Sequence, residues 1–92
     1  MADTVIRRLN IVNDKGLHAR ASAKFVEMVE AYDARARVSK DGIDTDGDSI
    51  MGLLMLAAAS GSAIEVETSG QDAAKLMDAL EALVADKFGE ES

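Results

Sequence analysis

From Thr4 to Val12 (TVIRRLNIV) apolar residues fall on alternate positions, Val5, Leu9 and Ile11, with Arg7 as the exception, which predicts a strand with one buried face. Asn13-Asp14-Lys15-Gly16 then reads as a turn. Beyond it the period lengthens: between Ala19 and Tyr32 the residues Ala21, Phe25, Met28, Val29 and Tyr32 recur at helical spacing, while Lys24, Glu27 and Glu30 fall outside the stripe. This predicts an amphipathic helix. Ala34 to Lys40 alternates again, and Asp41-Gly42 is a dipeptide suited to a tight hairpin, with Ile43 to about Asp46 as the returning strand.

Asp48 or Ser49 can cap a second helix running through about Ala57, after which Ser60-Gly61-Ser62 breaks it. A fourth strand, Ala63 to Thr68, turns Ile64 and Val66 inward and Glu65 and Glu67 outward. Ser69-Gly70-Gln71-Asp72 offers an N-cap with an acid three residues on, opening a last helix built on Ala73, Met77, Leu80 and Val84. Gly89 to Ser92 are expected to fray. The order β-α-β-β-α-β-α predicts an α+β fold, a small antiparallel sheet with helices on one face.

Composition narrows the class. At 92 residues the chain holds one domain's worth of core, taken as a single domain over residues 1–92. With 48% hydrophobic but only 3% aromatic residues, that core must be aliphatic. Cysteine is absent, so disulfides and thiolate metal sites are out of reach. The N-terminal stretch has no apolar core of signal-peptide length, and no apolar run approaches the roughly 18 residues of a membrane span. A cytoplasmic protein without membrane insertion is expected. The net charge of −7 argues against nucleic acid as a partner, although Arg7, Arg8, Lys15, Arg20 and Lys24 crowd the first quarter and offer a positive face to an acidic partner.

The only histidine, His18, stands where an N-cap is due, yet histidine is not among the good caps. A neutral imidazole nitrogen is a nucleophile, and an anion attached to it there would lie against free amides and the positive end of the helix dipole. A phosphoryl group fits that description, with Arg20 placed to contact its oxygens. The plainer reading is a surface histidine with a solvated arginine nearby. One histidine without cysteine is a poor start for a metal site, and no metal or cofactor is expected. Asp44, Asp46 and Asp48 alternate like the opening of a calcium loop, but Ser49 replaces its glycine and Met55 its bidentate glutamate.

Gly16-Leu17-His18-Ala19-Arg20 closely resembles the active-site motif of the HPr family, the histidine-containing phosphocarriers of the bacterial phosphotransferase system. The element order is similar to that family's open-faced β-sandwich, a four-stranded antiparallel sheet with three helices on one face. The resemblance implies a monomeric carrier, not a self-contained enzyme. On this likeness His18 accepts a phosphoryl group on Nδ1 from Enzyme I, itself charged by phosphoenolpyruvate, and passes it to Enzyme IIA proteins, with Arg20 assisting. One departure stands out: Ala21 occupies the position after the arginine, where the family usually has proline.

The stretch Asp48-Ser49-Ile50-Met51-Gly52 opens a helix apolar on nearly every side, so some of Ile50, Met51, Leu54 and Met55 should be exposed. Ala19, Ala23, Ile50, Met51 and Leu54 are the candidate docking residues, against the plain reading that all are core. Ser49-Ile50-Met51-Gly52 also resembles the HPr segment bearing a regulatory serine, the target of HPr kinase/phosphorylase, which makes Ser49 a candidate phosphoserine as well as an ordinary N-cap. The alternative function is a regulatory adaptor of the same fold, in a nitrogen-related branch or acting through phosphoserine, that modulates partners instead of feeding sugar import. The acidic cluster at Asp44, Asp46 and Asp48 and the missing proline lean that way.

Overall fold

In the computed structural model, which describes residues 3–92, strands β1 (Thr4–Asn10), β2 (Arg35–Lys40), β3 (Ile43–Asp46) and β4 (Ala63–Ser69) are interleaved with helices α1 (Ala19–Glu30), α2 (Ile50–Met55) and α3 (Ala73–Ala85). The sheet is antiparallel with order β1-β4-β2-β3. Its register aligns Leu9 with Ile64, and Val66 with both Arg7 and Val38. Alternation does the sorting: Leu9, Ala36, Val38, Ile64, Val66 and Thr68 are buried under the helices, and Arg8, Arg37, Glu65 and Glu67 face solvent on the open side.

Helices α1 and α3 close over the inner face, with Phe25, Val29, Leu76, Met77, Leu80 and Val84 meeting the strand side chains. Full burial of each such large side chain is worth about 1.5–3 kcal/mol, which makes this layer the main source of stability. The ion pairs on the open face, Arg37 with Asp44 and Asp46, are exposed and add little. Arg7 breaks the inward pattern without entering the core. On the edge strand it reaches past the sheet to α3, where its Nη1 donates to Asp78 and Glu81, each at 2.8 Å.

Several expected boundaries move. β1 ends at Asn10, because the Ile11 amide and carbonyl turn to Ser62 and Gly61 in the neighbouring loop. α1 stops at Glu30 and α2 at Met55, two residues before Ala57, which sits at φ 51° and cannot continue a right-handed helix. Ser69 is the last residue of β4 and does not cap α3. Asp72 holds the N-cap position, with its carboxylate spent on the Asp33 amide across the turn. The chain end departs most. A 3₁₀ turn at Lys87–Gly89 buries Phe88 completely; of the segment expected to fray, Gly89 lies in that turn and Glu90 is held by Asn13 and His18, while Glu91 and Ser92 are exposed.

Candidate functional site

The approach to His18 leaves the backbone little freedom. Gly16 has φ 68°, and a Cβ there would come within 2.5 Å of the Ala58 carbonyl oxygen. Leu17, buried, donates its amide to that same oxygen at 2.9 Å. The His18 amide then donates to the Gly16 carbonyl, and the His18 carbonyl accepts from the Ser22 amide at 2.8 Å, the bond that starts α1. His18 is therefore the N-cap residue, in extended conformation, and its side chain makes no capping hydrogen bond. The first-turn amides of a twelve-residue helix thus lack a side-chain acceptor beside the ring, an arrangement suited to an anion.

The ring is 27% exposed. Its Nε2 faces Glu90 Oε2, and no group bonds Nδ1 among the described residues. The other Glu90 oxygen accepts from Nδ2 of the fully buried Asn13 at 3.0 Å, and the same nitrogen donates to the Gly16 carbonyl at 2.8 Å. The Asn13 amide first, and His18 second, hold the Glu90 carboxyl below its ordinary pKa, with Lys15 adding to the effect. Lys15, His18, Arg20, Glu90, Glu91 and Ser92 line one open depression.

Of the residues singled out from sequence, His18 and Arg20 share this depression. Ala19 is exposed, and Ala23 is half-buried on the same helix. α2 packs against α1, and on it Leu53 is buried, Leu54 half-buried, and Ile50, Met51 and Met55 exposed, the last two at 68% and 70%. Ser49 caps α2, its Oγ accepting from the Gly52 amide at 3.0 Å. Gly52 is required here, because a Cβ would fall 1.8 Å from Thr45 Oγ1. Asp44 and Asp46 pair with Arg37. The early cations do not form one face: Arg7 is tied to α3, Lys24 to the Phe88 carbonyl, and only Lys15 and Arg20 border the histidine. Glu90 and Asn13 carried no mark of function in the sequence. The first lies 72 residues from its partner, and the second reads as an ordinary turn residue.

Residues 5–86 match the family model described as PTS HPr component phosphorylation site. The phosphocarrier protein HPr of Cupriavidus necator is 46% identical over 84 residues, covering 91% of this chain and 94% of that one. That of Neisseria meningitidis is 48% identical over 82 residues, covering 89% and 92%. Among solved structures, HPr-C-His from Thermoanaerobacter tengcongensis superposes with a TM-score of 0.90 at 33% identity, over 96% of this chain and 99% of that one.

Proposed function

This chain belongs to the HPr family of phosphotransferase-system phosphocarriers, and on that premise we propose that it takes a phosphoryl group from Enzyme I on Nδ1 of His18 and passes it to Enzyme IIA proteins. The observation that carries the reading is the ring's placement: a partly exposed imidazole at an uncapped helix N-terminus, with Nε2 engaged and Nδ1 free of bonds to the described residues. A phosphoryl group on Nδ1 replaces no existing contact of that nitrogen. First-turn amides, including the Ala21 N–H that a proline would lack, and the Arg20 guanidinium supply the donors for its oxygens. Those donors serve the charged form and the transition state alike, so they steady the carried group without trapping it.

Docking is assigned to the apolar surface beside the site, Ala19 and Ala23 on α1 with Ile50, Met51 and Leu54 on α2. Ser49 begins that α2 surface. A phosphate there would set about two negative charges beside Ile50 and Met51, which is the basis for reading it as a switch served by a kinase such as HPr kinase/phosphorylase. Charging of the Ser49→Asp protein by Enzyme I measures this: slower charging supports the switch, and an unchanged rate removes it.

The primary test is incubation with Enzyme I and phosphoenolpyruvate. One acid-labile phosphate is expected on the wild-type protein and none on His18→Ala. A wild-type chain left uncharged while Enzyme I is phosphorylated would refute the reading.

A further inference from the structure

The chain end reverses through three consecutive residues at positive φ, Lys87 at 58°, Phe88 at 55° and Gly89 at 78°. Two of these are not glycine, so other contacts must hold them in that region. Phe88 is fully buried, and its carbonyl accepts from Lys24 Nζ, on α1, at 2.6 Å. The Gly89 and Glu90 amides donate to the Asp86 and Lys87 carbonyls, each at 3.0 Å. The result of this strained turn is to bring one carboxylate back to the mouth of α1.

Asn13 completes the arrangement. Its Nδ2 serves Glu90 and Gly16 together, while its Oδ1 is buried without a partner among the described residues. The N–H groups of that buried amide are thus spent on holding Glu90 against the Gly16 turn. Building on the phosphocarrier reading of His18, we propose that Glu90, aligned by Asn13, is the positioning residue of that histidine: it holds the ring proton on Nε2 and so makes Nδ1 the nucleophile.

In a neutral imidazole one nitrogen bears the proton and the other the lone pair, and a carboxylate opposite Nε2 selects the Nε2–H form. During charging the Nδ1 lone pair forms the N–P bond as the bond from phosphorus to the donor protein's side chain breaks, the donor keeping that electron pair. No proton leaves the ring. It becomes an imidazolium whose positive charge lies against Glu90, much as a buried aspartate steadies the imidazolium of a catalytic triad. On discharge the N–P electron pair returns to Nδ1 and the ring departs as neutral imidazole. Loss of the Nε2 proton beforehand would force departure as an imidazolate, a much poorer leaving group. Glu90 opposes that loss.

Two variants separate the hydrogen bond from the charge. Long-range proton–nitrogen NMR of the uncharged protein at alkaline pH should find the proton on Nε2 in the wild type and a mixture of both tautomers in Glu90→Ala. Glu90→Gln keeps a carbonyl acceptor, so it should retain the Nε2–H form. Passage of the phosphoryl group from charged protein to an acceptor should slow in both, by about ten- to a hundredfold in Glu90→Ala, the weight of one charge-assisted hydrogen bond. A purely structural strap would lower thermal stability and leave the tautomer alone. A wild-type tautomer and wild-type transfer in Glu90→Ala would overturn the proposal. The tautomer is read before any charging, so it judges Glu90 even if the wild-type chain takes no phosphate, an outcome that would instead remove the phosphocarrier reading.

Discussion

Gly16 sets the direction of the chain into His18, and its substitution tests how tightly that direction matters. At φ 68° an alanine is strained, and its Cβ would also meet the Ala58 carbonyl oxygen at 2.5 Å and Ala59 Cα at 2.9 Å, backbone atoms that cannot swing aside. Gly16→Ala should therefore lose about 1–3 kcal/mol in urea denaturation and slow charging of His18 more than the stability loss explains, because the whole turn shifts. Full stability in that variant would contradict this account of the turn. At this scale the sequence revealed half of the site. A histidine in place of a cap, two residues before an arginine, is a local anomaly and can be found by reading along the chain. Glu90 and Asn13 are anomalous only through their partners: Glu90 meets His18 across 72 positions and Asn13 across 77, relations that folding alone creates.

Among the elements, α2 is the most dependent on its ends. It has six residues, a single buried side chain and an N-terminus held by Ser49 Oγ on the Gly52 amide. So short a helix has little propensity-driven stability, and the cap counts for a large share. Ser49→Ala should cost about 1 kcal/mol in denaturant unfolding, whereas Ser49→Asp, itself a good cap, should keep that stability while slowing charging by Enzyme I. Loss of stability in both variants alike would show that hydroxyl geometry, not capping, holds α2. The strands and helices were legible because period-two and helical spacing exchange cleanly at Gly16 and Gly70, and Asp41-Gly42 marks the hairpin between two strands. Their ends were not. Ala57 leaves the helix at positive φ despite its helix-forming nature, and Ser69 goes to the sheet because it pairs with Thr4 of β1 on one side and Arg35 of β2 on the other.

Over the whole molecule, ion pairs tie down cations remote from the site, Arg7 to α3 and Arg37 to β3, while Lys15 and Arg20 border the histidine within an otherwise acidic protein. The closure of the chain end onto the start of α1 should depend on pH with a definite sign. Glu90 has its carboxyl pKa lowered by Asn13 and His18, so its contribution to stability is present above the ordinary value of 4.5 and is lost as pH falls through the lower folded value. The stability difference between wild type and Glu90→Gln, read by thermal melts, should therefore be open near neutral pH and close on acidification below 4.5. A gap that persisted in acid would mean the carboxylate is not what holds the tail. The central claim, a phosphoryl group carried by one imidazole nitrogen, is tested most directly by phosphorus–nitrogen NMR of the ¹⁵N-labelled protein after charging. A one-bond coupling to Nδ1 of His18 is the expected result, and phosphorus coupled to Nε2, or to no nitrogen of that ring, would contradict it.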